Sequence, residues 1–83
     1  MADLTEDIVG LVDSIVRPIV DNPEDLELTS SVEGDEILVE VRVNEEDAGK
    51  VIGRQGRVIK AIRTLARAAA VRGGMHVEVE LVD

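Results

Sequence analysis

The apolar residues of this chain change their spacing along its length, and each change marks a different structural element. From Leu4 to Val20 the residues Leu4, Ile8, Leu11, Val12, Ile15, Val16 and Ile19 recur every three or four positions, with Glu6, Asp7, Asp13, Ser14 and Arg17 between them. That spacing predicts an amphipathic helix. Asp3 with Glu6 offers a capping box at its start, and Asn22 before Pro23 ends it, because a residue preceding proline is biased out of helical backbone. Pro18 projects to the polar side, where it can kink the last turn without disturbing the buried face. The period then drops to two. Residues 25–32 and 35–43 read as strands joined in an antiparallel hairpin across Glu33 and Gly34. In the second of them Ile37, Val39, Val41 and Val43 alternate with Leu38, Glu40 and Arg42, which predicts a sheet with one packed face and one in water. A third strand spans Met75 to Val82, with Met75, Val77, Val79 and Leu81 on one side and His76, Glu78 and Glu80 on the other.

Between the second and third strands the helical period returns over 45–52 and 57–72. Asn44 is placed as an N-cap, and Glu45, Glu46 and Asp47 suit the positive end of a helix. The following helix carries Val58, Ile59, Ile62, Leu65, Ala66 and Ala69 on one face and Lys60, Arg63 and Arg67 opposite. A crossover from strand to strand through helices joins parallel strands. The expected fold is therefore α+β: a three-stranded mixed sheet with three helices on its single apolar face. The 83 residues suffice for one domain, spanning 1–83. With no Phe, Tyr or Trp, its core must be built from Val, Ile, Leu and Ala; with no Cys, disulfides, thiolate metal sites and cysteine nucleophiles are excluded. The stretch MADLTEDIVG has an acidic flank and no long apolar run, so neither a signal peptide nor membrane insertion is expected, and the protein reads as cytoplasmic.

The formal net charge of -9 conceals a division of the chain. Residues 1–49 hold fifteen acidic side chains and two basic ones, whereas residues 50–72 hold seven basic side chains and no acidic one. The seven are Lys50, Arg54, Arg57, Lys60, Arg63, Arg67 and Arg72. A basic stripe on an acidic body suits a polyanion that must be held at one place only. Inside it, VIGRQGRVIK from Val51 to Lys60 sets Gly53 and Gly56 around Arg54 and Gln55, just ahead of the long helix. Glycines permit a tight turn and close approach of another backbone, and the unpaired amides and dipole of a helix start attract an anion. Arg54 and Gln55 can reach phosphate or sugar oxygens, with Lys50, Arg57 and Lys60 supplying flanking charge.

The segment VIGRQGRVIKAI, from Val51 to Ile62, resembles the signature of the KH RNA-binding domain, in which a GxxG loop flanked by aliphatics joins a short helix to a longer one. The element order is similar to the bacterial type II KH topology, α-β-β-α-α-β, and the chain as a whole resembles the small stand-alone bacterial KhpA-like proteins. The resemblance implies that about four unpaired nucleotides lie in a groove between the two helices and the adjacent strand, with Gly53, Arg54, Gln55 and Gly56 clamping their backbone. Of Val51, Ile52, Val58 and Ile59, some would line this groove and the rest would join the core; the RNA-contacting set is then Lys50, Val51, Ile52, Gly53, Arg54, Gln55, Gly56, Arg57 and Lys60. It implies further a post-transcriptional regulator or RNA chaperone, connected with cell division or cell shape, acting as a homodimer or with a larger KH-containing partner.

An enzyme is not expected. The single histidine, His76, falls on the polar side of a strand, the acids at 45–47 are accounted for by capping, and GRQGRVIK lacks the spacing and ending of a phosphate-binding Walker loop. No cofactor and no metal site are expected. The competing reading is a docking module, in which Ala61, Leu65 and Ala68 form a small-residue flank where another helix approaches.

Overall fold

The computed structural model describes residues 3–82. Helix α1 covers Leu4–Val16, strands β1 and β2 cover Glu27–Glu33 and Glu36–Arg42, helices α2 and α3 cover Ala48–Ile52 and Arg57–Val71, and strand β3 covers His76–Val82. This is the expected order. β2 lies in the middle of the sheet, antiparallel to β1 and parallel to β3. The helices cover one face, and the core lies between: Ile8, Val12 and Val16 from α1, Ile37, Val39 and Val41 from β2, Val77 and Val79 from β3, and Ile59, Ile62, Ala66 and Ala70 from α3. Each Val or Ile withdrawn from water contributes about 1.5–3 kcal/mol. Without aromatic rings to fill space, close approach must do the filling, and the fully buried Ala66 and Ala70 let α3 sit low on its neighbours.

Four local expectations need correction. α1 stops at Val16, short of Val20, because Pro18 has no N–H to continue the ladder; instead the Ile19 and Val20 N–H groups both donate to the Val16 carbonyl, at 3.0 and 3.3 Å. Its cap is Asp3 alone, whose Oδ1 accepts from the Thr5 N–H at 3.1 Å, and the reciprocal bond from Glu6 is absent among the described residues. The hairpin turns on Gly34 and Asp35 rather than Glu33 and Gly34, since Glu33 pairs with Glu36 and the positive φ of Gly34, 62°, suits the first position of a two-residue turn.

The fourth correction concerns Asp47. Asn44 does cap, its Oδ1 accepting from the Glu46 N–H at 2.8 Å, but Asp47 has another role. It is 0% exposed, the one buried charged side chain among the described residues. Its Oδ1 accepts from the Asp21 N–H at 3.0 Å, and its Oδ2 accepts from the Asn22 N–H at 3.0 Å and the Asn22 side-chain amide at 3.1 Å. The irregular connection between α1 and β1 is thereby tied to the start of α2. The Asp21 bond, with those of Asn22 and the nearby Lys50 charge, outweighs burial and holds the Asp47 carboxyl below its ordinary pKa.

Asp47→Asn would turn an amide donor toward backbone donors, and is expected to lower Tm at pH 7 by about 5–15 °C. The folded-state pKa lies below the unfolded one, so the stabilisation is complete above the unfolded value of about 3.9 and is lost as pH falls through the folded value. Thermal unfolding of both proteins from pH 7 downward should show a constant gap that narrows below about pH 4. A gap that stays constant to the lowest pH would show that the carboxylate charge contributes nothing.

Candidate nucleic-acid interface

The loop between α2 and α3 is shaped by backbone conformations open chiefly to glycine. The Gly53 N–H donates to the Gly49 carbonyl at 2.9 Å and closes α2, after which Gly53 turns out at φ 77°, ψ 173°. A Cβ at Gly53 would overlap the Val58 side chain and stand only 2.9 Å from the Val58 nitrogen, so both space and conformation require glycine. Residues Arg54–Gly56 form a single 3-10 turn in which the Gly56 N–H donates to the Gly53 carbonyl at 3.1 Å. Gln55 is left-handed at φ 58°, ψ 23°, the one non-glycine residue with positive φ among those described, and Gly56 follows at φ 74°, ψ 16°. Strain of this kind is kept at binding loops more often than elsewhere. α3 then begins at Arg57, whose own N–H donates to the Arg54 carbonyl, and no side chain caps the amides that follow.

The sequence-derived site residues separate clearly in space. Arg54 and Gln55 stand exposed at the loop tip, and the Gln55 Oε1 accepts from the Arg57 Nη2 at 3.2 Å, which joins two of the polar groups into one surface. Lys60, one turn on, is exposed, and neither it nor Arg54 has an ion pair among the described residues. Ile52 is 42% exposed beside Gly53, Val58 is half-buried beneath it, and Ile59 is buried. Val51 is 0% exposed and is corrected from an RNA-contacting residue to a core residue, because its side chain is enclosed in the core where α2 packs on α3. Lys50 is also committed elsewhere. It pairs with Asp21 and lies 3.7 Å from the Asp47 Oδ1, and the Asp21 hydrogen bond raises its pKa.

Two further cations of the basic stripe reach β3. Arg63, half-buried, donates from Nε to the Val79 carbonyl of β3 at 3.1 Å, and Arg67 Nη2 lies 3.7 Å from Glu78 Oε1. Their signal was the register Lys60, Arg63, Arg67 on one flank of α3, but only the packing of α3 on the sheet brings that flank to β3. On another flank Ala61, Leu65 and Ala68 are exposed. Leu65, expected to help bury α3, is 50% exposed. His76 is exposed near Asp35, no cluster able to hold a metal occurs among the described residues, and none of the described helices is long and apolar enough to cross a membrane.

Known proteins resemble this chain over most of its length. The family model for the KhpA/KhpB KH domain matches residues 10–81. The RNA-binding protein KhpA of Clostridium perfringens is 44% identical over 72 residues, spanning 87% of this chain and 96% of that protein. The RNA-binding protein KhpA of Listeria monocytogenes is 40% identical over 73 residues, 88% of this chain and 96% of its own length. That of Borreliella burgdorferi is 38% identical over 76 residues, 90% and 92% of the two chains.

The two glycines differ in what they tolerate. Gly56→Ala meets no side chain closer than Ile59 at 4.0 Å, so it should cost only the conformational penalty of about 1–2 kcal/mol. Gly53→Ala adds the overlap with Val58 and should cost about 3–5 kcal/mol in chemical denaturation. Val58→Ala in the same chain should recover part of that loss. Equal costs for the two single variants would contradict the close packing of Val58 under Gly53.

Proposed function

The chain belongs to the KhpA/KhpB family of KH domains, and on that premise we propose that it binds single-stranded RNA, without catalysis, by clamping the RNA backbone at Gly53–Gly56. The observation that carries this reading is the turn itself. Two glycines and a left-handed Gln55 bare the backbone directly ahead of an uncapped helix, and an exposed, unpaired arginine stands at the tip. Phosphates meet Arg54, Gln55, Arg57 and Lys60 there, while Ile52 offers the aliphatic contact beside the loop. Lys50 contributes only where a phosphate displaces Asp21 from it.

The opposite side of the molecule repels RNA. The helix-free face of the sheet carries Glu33, Glu36 and Glu40, with Glu78 and Glu80 beside them in register. Long-range attraction is therefore weak, and binding rests on contacts made inside the groove. One groove holding about four nucleotides binds modestly, and joining two raises apparent affinity through effective concentration. We propose accordingly that the protein works as a homodimer or with a larger KH-containing partner, through the exposed Ala61, Leu65 and Ala68 flank of α3, as a post-transcriptional regulator or RNA chaperone. A docking role without RNA is the second reading, favoured by the exposure of Leu65 alone.

Replacing Arg54 and Gln55 together by Asp should abolish binding of labelled RNA while leaving the circular-dichroism spectrum intact. If about three phosphates are contacted, log affinity falls against log salt with a slope near -2. Retained binding in that variant would remove the loop from the mechanism. Sedimentation over a range of concentrations should show self-association that Leu65→Glu weakens; a monomer at every concentration would argue against the homodimer.

A further inference from the structure

Arg63 is the one cation of the basic stripe that is bonded to main chain of the sheet. Its Nε donates to the Val79 carbonyl at 3.1 Å. β3 pairs with β2 on one side only, and because the His76 N–H faces that side in its bond to the Asp35 carbonyl, the Val79 carbonyl three residues on faces the open edge of the sheet. A guanidinium carries five N–H donors in one plane. The bond to Val79 uses one and fixes the plane, and the Nη donors have no acceptor among the described residues. A surface arginine ordinarily keeps its rotamer freedom and is oriented by nothing; this one is half-buried and oriented before any ligand arrives.

Its position separates it from the phosphate contacts. Gly56, Lys60, Arg63 and Arg67 follow one another at spacings of four, three and four along a single flank of α3. Arg63 is thus two turns, about 10 Å, beyond the loop. Arg54 at the loop is exposed, as suits a partner of the backbone, while Arg63 lies deeper, where the bases of a strand clamped at the loop would point. Two parallel N–H donors match two adjacent acceptors. Guanine presents such a pair as O6 and N7, and cytosine as N3 and O2; adenine and uracil present no two adjacent acceptors on any base edge.

Resting on the RNA-binding reading, we propose that Arg63, held by the Val79 carbonyl, reads one nucleobase of the bound strand and selects guanine or cytosine over adenine and uracil at that position. Lysine preserves the charge but not the planar pair of donors, so Arg63→Lys separates base reading from attraction to phosphate. The test measures fluorescence anisotropy of the full chain with labelled octauridine and with octamers bearing one adenine, one guanine or one cytosine at each internal position in turn. The unmodified protein should bind the best guanine or cytosine octamer about five- to a hundredfold more tightly than the adenine octamer and octauridine. Which of the two bases wins identifies the edge that is read. Arg63→Lys should collapse the ratio to near one, and Arg63→Gln provides a second substitution where the first does not fold by circular dichroism.

A merely structural brace between α3 and β3 would move Tm but not the ratio. Equal affinity of the unmodified protein for all four series, or an undiminished ratio in a folded Arg63 variant, would overturn the assignment while leaving RNA binding in place. No binding to any octamer would overturn the RNA reading first and this inference with it.

Discussion

The side of the molecule that carries the glycine loop depends on a carboxylate withdrawn from water. Asp47 stands where the chain enters α2, and it accepts hydrogen bonds from the Asp21 and Asn22 main chain that carries α1 across to β1. That connection has only a short turn at Pro23–Asp25 of its own, so its amides need an outside acceptor. A neutral acceptor would satisfy fewer of them, and an unpaired charge at this depth would be costly. Three donors and a neighbouring ammonium make the charge tolerable. The consequence reaches the loop, since α2 has only five residues and little hold of its own beyond Val51 in the core. Anchored at its first turn by Asp47, it delivers Gly53 to a fixed place over Val58.

From that anchor the loop can carry strain. Gly53, Gln55 and Gly56 all sit at positive φ within four residues. Such a turn persists only when both flanking helices are held by other forces, and α3 is held by Ile59, Ile62, Ala66 and Ala70 against the sheet. The arrangement places bare backbone, a helix start without a side-chain cap and an exposed arginine together.

Charge is partitioned in the same way. Acidic residues crowd the helix-free face, where Glu33 faces Glu36 and Glu40 faces Glu80 across adjacent strands. Like charges opposite one another weaken a sheet slightly, and the aliphatic core beneath offsets that. The basic residues are gathered on α3 and its approach, yet they are not equivalent. Lys50 neutralises acids, Arg57 supports Gln55, Arg63 is fixed on main chain, and Arg54 and Lys60 remain open.

Much of this was legible along the chain. Changes of apolar period located every element, because a helix or strand must turn a continuous face to the core, and the β-branched residues of β2 and β3 alternate cleanly. The glycines at 53 and 56 and the arginine between them identified the loop, and with it the family. What was not legible depended on contacts between distant segments. Period alone placed Leu65 inside and left Val51 open to either role, since both lie at the margins of apolar faces; only the packing of α2 and α3 buries one and exposes the other. A run of three acids reads as capping, and nothing local distinguishes Asp47 from Glu46 until residues 21 and 22 come within hydrogen-bonding distance. The sequence by itself determined the elements, their order and the loop, which follow from local backbone preference and periodicity. The tertiary structure decided which charges are already paired, which aliphatics are covered and which arginine meets the open sheet edge, because burial and pairing are properties of neighbours far apart in the chain.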